Sequence, residues 1–154
     1  MTVRTIEDMP SKVKFDDANS PSWDWIRWLQ KLVALPEPFK TYTPVITAGS
    51  GAFTTVSAAG RYRIIGKLVF IEITVTITTN GTAATQVNVT LPFASVNVAG
   101  VNHVIPGRAT AVSGKMLQGI VGANSSVLAV VNYDNTYPGA SGEMLALSGF
   151  YEIP

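Results

Sequence analysis

Between Gly60 and Pro92 the chain reads GRYRIIGKLVFIEITVTITTNGTAATQVNVTLP, and this stretch limits the fold more than any other. Odd positions from Val69 to Ile77 are all apolar and β-branched: Val69, Ile71, Ile73, Val75 and Ile77. Even positions from Glu72 onward are polar: Glu72, Thr74, Thr76 and Thr78. Successive side chains of a strand point to opposite faces, so alternation with period two marks a strand with one face buried. Asn80-Gly81 then supplies two residues that tolerate the positive φ of a tight hairpin turn. Val87, Val89 and Leu91 alternate with Asn88 and Thr90, and Pro92 ends the run. The expectation is an antiparallel hairpin with one face inward, covered by the rest of the chain.

At 154 residues the chain has the length of one domain, or of one domain with an appendage. Hydrophobic residues make up 47%, enough for a core, but charged residues only 14%, well below the usual quarter. A surface of Thr, Ser and Asn suits a β-rich protein, and an oligomer that buries much of its surface between copies. Net charge is +1, which gives no electrostatic case for nucleic acid or an anionic membrane. Without cysteine there are no disulfides, thiolate metal sites or Cys nucleophile. The opening MTVRTIEDMPSKVKFDD carries acids and no apolar core, so a secretory signal is not expected, and no apolar run is long enough to span a membrane.

Charge divides the chain. Twelve of the 21 charged residues and all three tryptophans fall in the first 40 positions, with a boundary at Pro36-Glu37-Pro38. Residues 1–20 read as an extended or partly disordered arm. Residues 21–35, PSWDWIRWLQKLVAL, read as a helix: Ser20 caps it, Pro21 fits its first position, and Asp24 and Lys31 suit the dipole. Trp25, Trp28, Leu29, Leu32 and Leu35 form its apolar stripe, which Trp23, Ile26 and Val33 widen. Such a helix packs either on its own β-domain or, the preferred reading, against identical helices around a symmetry axis or into a larger assembly. Residues 1–38 are therefore expected to attach and trimerise, and 39–154 to form a β-domain.

Strands are expected near 40–47, 53–57, 61–66, 67–79, 85–91, 96–105, 108–113, 115–121, 126–133 and 143–153. Turns are expected at Gly49-Ser50-Gly51, Ala59-Gly60, Asn80-Gly81, Pro106-Gly107, Ser113-Gly114, Asn124-Ser125 and Pro138-Gly139. Short strands at this spacing, with no crossover helix, indicate an antiparallel sandwich or barrel. Leu145, Leu147, Tyr151 and Ile153 share one face of the last strand.

Residues that could carry chemistry are few. His103 is the sole histidine, so a Ser–His–Asp triad would have to use it, and no nucleophile-elbow motif accompanies it. Histidine metal clusters are impossible, and Asp134-Asn135 is too small for a calcium motif. Asp134 and Glu143 flank the loop YDNTYPGASGE and could serve a glycosidase as a carboxyl pair, although solvated loop charges are the plainer reading. Arg61, Arg63 and Lys67 could form an anion-facing row or protect a strand edge. Tyr133, Asp134, Asn135 and Tyr137 combine aromatic faces with short polar groups, the mixture that binds sugars. No cofactor or metal is expected.

The order Tyr42-Thr43-Pro44, Gly60-Arg61-Tyr62, a long hydrophobic strand, then Leu91-Pro92-Phe93 resembles a jelly-roll-like β-sandwich of bacteriophage tail-fibre, tailspike and virion-spike proteins. The resemblance spans residues 40–154. It implies a non-enzymatic, homotrimeric virion appendage, held to other virion proteins by its N-terminal segment, whose β-domain binds a host-surface receptor, often a glycan. The rival readings are a capsid decoration or baseplate protein without a receptor, a small polysaccharide hydrolase, and a cellular carbohydrate-binding module. Enzymatic tailspikes resemble long β-helices rich in acids, and this chain has neither feature.

Overall fold

The computed structural model describes residues 38–154. The arm and the helix expected over 21–35, with Trp23, Trp25, Trp28, Leu29 and Leu32, lie outside the described residues. What is described is mainly β: β1 (Lys40–Tyr42), β2 (Ile46–Ser50), β3 (Thr55–Ile65), β4 (Leu68–Thr79), β5 (Ala84–Thr90), β6 (His103–Ala109), β7 (Met116–Val121), β8 (Val127–Asn132) and β9 (Glu143–Glu152). Every pairing is antiparallel, and the strands form one sheet in the order β1-β3-β4-β9-β6-β7-β8-β5-β2. The two edge strands, β1 and β2, are neighbours in the chain, separated only by Thr43, Pro44 and Val45. The sheet therefore curls back on itself.

One core fills the concavity. Val69, Ile71, Ile73, Val75 and Ile77 of β4 meet Val87 and Val89 of β5, Ile105 of β6, Leu128 and Val130 of β8, and Leu145, Leu147 and Tyr151 of β9. Burying each such aliphatic side chain is worth about 1.5–3 kcal/mol, so the alternating pattern decides which face turns inward. The inward faces expected for β4 and β9 are as observed, with Ile153 packed partly buried at the margin.

The expected hairpin is not there. β4 lies between β3 and β9, and both its edges are occupied; β5 lies between β8 and β2. The residues on either side of Asn80-Gly81 are both strands, but they belong to distant parts of the sheet and meet across the core. Gly81 does take positive φ (63°), and Ala83 N–H donates to the Asn80 carbonyl (3.3 Å). Thr82 N–H then donates to the Ala52 carbonyl (3.0 Å), which carries the chain away from β4. The hairpin turn lies instead at Gly66-Lys67, between paired Ile65 and Leu68, with Gly66 at φ 60° in the first central position of a type II′ arrangement.

Two other expected turns are strand interior. Ala59-Gly60 sits within β3, which joins the segments expected at 53–57 and 61–66. Gly60 is glycine because the Tyr42 ring covers it: a Cβ there would lie 2.4 Å from Tyr42 Cε1. Pro106-Gly107 sits within β6, which replaces the strands expected at 96–105 and 108–113; residues 96–102 form a loop. The segment expected at 40–47 is broken by Thr43, Pro44 and Val45 into β1 and β2. The aromatic residues of the three short motifs converge, Tyr42 edge-on to Tyr62 (5.9 Å) and Tyr62 edge-on to Phe93 (5.3 Å). Those motifs are scaffold.

Candidate functional site

The loop after β8 is built from its own hydrogen bonds. Asn132, nearly buried, donates through Nδ2 to Thr136 Oγ1 (2.9 Å) and the Tyr137 carbonyl (3.0 Å), and Asn135 N–H donates to the Asn132 carbonyl (2.9 Å). Asp134 accepts from Thr136 N–H (3.2 Å) and the Thr136 hydroxyl (2.5 Å) and pairs with Lys115 (3.1 Å). The Thr136 hydroxyl, then Lys115, hold the Asp134 carboxyl down at about 2. Asn135, at φ 60°, accepts from Gln118 Nε2 (2.6 Å). Tyr137 packs against the core and donates its hydroxyl to Asn80 Oδ1 (2.6 Å).

Of the four residues expected to bind a receptor, Tyr133, Asp134 and Asn135 are exposed and Tyr137 is half-buried; Tyr133, at 66% exposure, is the one with no side-chain hydrogen bond among the described residues. The others brace the turn. Tyr137→Phe is accordingly expected to cost about 1 kcal/mol of stability, read as a shift in the urea midpoint, by removing the bond between this loop and the Asn80 turn.

Glu143, at the start of β9, is fully buried, and its carboxylate accepts four backbone N–H groups. Ala111 (3.0 Å), Val112 (3.0 Å) and Met144 (3.0 Å) donate to Oε1, and Ser113 (2.8 Å) donates to Oε2. Burial alone would raise its pKa, but these donors outweigh it and lower the carboxyl to about 2. A carboxylate so engaged is an anchor for the 110–115 loop and has no proton to give near neutrality. His103 lies edge-on to Tyr151 (6.4 Å). Among the described residues no group of three His, Cys, Asp or Glu could hold a metal.

The outer face of β3, β4, β9 and β6 carries a different constellation. Arg61 pairs with Glu72, its cross-strand partner (Nε to Oε2, 2.6 Å). Arg63, on the same face, has no ion pair among the described residues; it lies over the rings of Phe39 (5.2 Å) and Phe70 (5.9 Å), and among those residues its buried Nε has no acceptor. Phe70 in turn faces Phe150 across the β4–β9 ladder (5.7 Å), and Phe150 is 56% exposed. Two residues further along the same strands, Glu72 is opposite Ser148. There a shallow groove of about 560 Å³ begins, lined by Glu72, Thr74, Pro106, Arg108, Met116 and Ser148. Arg108 is exposed and likewise without an ion pair among the described residues.

The sequence offered part of this: Arg61 and Arg63 were legible as a cationic row on one strand face. Edge protection describes only Arg63 and beyond, because short β1 covers β3 at residues 60–62. The aromatic half was invisible, because Phe70 and Phe150 meet only through strand pairing between distant segments. No family model, curated protein or solved structure matches the chain.

Proposed function

We propose that the chain is a non-enzymatic bacteriophage virion fibre or spike protein. Residues 1–38 attach it to other virion proteins and hold three copies together; residues 39–154 form a jelly-roll-like sandwich that meets a host-surface receptor, a glycan. The observation that carries this reading is an exposed apolar row across the outer face of the sheet. Phe150 on β9 is followed by Val104 on β6 (61% exposed) and its partner Ile120 on β7. A broad exposed face with rings and branched aliphatics is a contact surface, and it lacks the walls of a catalytic cleft. The order of the aromatic motifs, and the low charge of the chain, support the virion setting.

The experiment is adsorption of the purified full-length protein to a panel of bacterial cells, with its mass measured by light scattering. The expected result is a mass of three chains and saturable binding to some cells. A trimer that adsorbs to none would favour a capsid decoration or baseplate role, for which an apolar protein-contacting face would also serve. A monomer would overturn the trimer.

A further inference from the structure

We propose that the outer face of β3, β4, β9 and β6 binds an acidic oligosaccharide, with Arg63 and Arg108 taking ring carboxylates and Phe150 stacking a pyranose. This rests on the reading of the domain as a glycan-binding module, and it places the contact on the sheet face instead of the loop after β8.

Among the described residues, two arginines on this face lack carboxylate partners while their neighbour Arg61 has one. Arg63 is held in place by aromatic rings on both sides, so its guanidinium is oriented without being neutralised. A planar fork of donors, pre-positioned and unpaired, suits bidentate capture of a carboxylate. Beside it, the exposed Phe150 ring, backed by Phe70, offers a flat apolar surface that matches the C–H face of a sugar. The polar groups of Thr74, Ser148 and Glu72 line the groove beyond and can meet hydroxyls. Arg63 and Arg108 are three strands and four residues apart, which by strand spacing and rise is about 20 Å. That separation calls for several linked sugar units with more than one acid group. A neutral glycan would leave both guanidinium groups uncompensated, and a purely apolar protein partner would have to desolvate them.

The test is binding of the full-length protein to immobilised polysialate and polygalacturonate, with dextran and mannan as neutral counterparts. Wild type, Arg63→Gln, Arg108→Gln and Phe150→Ala are compared, each at low and high salt. Arg108 and Phe150 are exposed, so their variants are expected to melt like wild type; Arg63 is half-buried, so the Arg63→Gln comparison is made at a temperature where its melting curve shows it folded. Binding to at least one acidic polymer is expected, about tenfold weaker in each variant and weaker still in high salt. Acidic-polymer binding left unchanged by all three substitutions overturns this site while sparing the glycan reading. Binding to neutral polymers alone overturns the acidic class and likewise spares that reading. No binding to any polymer overturns the inference, and cell adsorption then decides the fate of the wider proposal. If Phe150→Ala instead lowers the mass of the assembly, the face joins copies of the chain, and the glycan assignment is wrong.

Discussion

A Glu143→Ala protein is expected to lose about 3–5 kcal/mol of stability, seen as a large fall in the urea midpoint at neutral pH. The side chain is fully buried and is the acceptor for four amides, three of them in the segment 111–113. Alanine would leave those N–H groups to find water or stay unpaired, and would free the segment joining β6 to β7. Glu143→Gln tests charge against shape. It keeps the volume and can keep its oxygen on the Ala111, Val112 and Met144 donors, but it loses the charge and turns an NH2 toward the Ser113 N–H, so part of the loss is expected to remain. A midpoint within about 0.5 kcal/mol of wild type would show that the loop holds itself, because changes of that size are typical of inert surface sites.

The same group sets an acid limit. Its folded pKa, about 2, lies below the ordinary glutamate value of about 4.3. The unfolded chain therefore binds the proton first, and the anchor's contribution is complete above that ordinary value and drains away as pH falls toward 2. Asp134, held low by Thr136 and Lys115, acts in the same direction from an exposed position. Urea titrations at pH 7, 4 and 2.5 are expected to show wild type losing stability on acidification more steeply than Glu143→Ala. Parallel losses would remove Glu143 from the account.

How much of this was legible depended on the range of the interaction. Alternation fixed which side chains of β4 and β9 turn inward, because burial of Ile71 or Leu145 depends only on the pleat of its own strand. Pairing was not legible. Asn80-Gly81 has the composition of a hairpin turn, but which strand occupies each edge of β4 is decided by the whole sheet. Gly60 and Gly107 misled in the same way, since glycine marks a close approach as well as a turn. For the candidate site, the aromatic and polar composition of residues 133–137 is plain in the sequence, but most of its polar groups bond within the protein. Nothing local in the sequence says whether a hydroxyl such as that of Tyr137 will be used internally or offered to a ligand.

Gly107→Val is expected to be the most damaging single substitution in the sheet, at about 4 kcal/mol or more, with failure to fold the extreme outcome. Gly107 begins the three-residue ladder by which β6 joins β9, opposite Leu147. That ladder links the β1-β3-β4-β9 half of the sheet to the β6-β7-β8-β5-β2 half. A Cβ at 107 would lie 2.5 Å from the Ala146 carbonyl oxygen and 2.8 Å from Leu147 Cγ. A side chain could rotate aside, but a backbone oxygen within a ladder moves only if the strands part. The position lies between the inward-facing Ile105 and Ala109, so the valine methyls would also press into a filled core. Gly107→Ala should show the same defect at smaller size. Gly122→Ala is the control, because the nearest atom to its Cβ would be Asn102 Oδ1 at 3.8 Å, and it should melt close to wild type. If Gly107→Val melted with the control, β6 and β9 would not be joined in this register, and the groove between Ser148 and Arg108 would not exist.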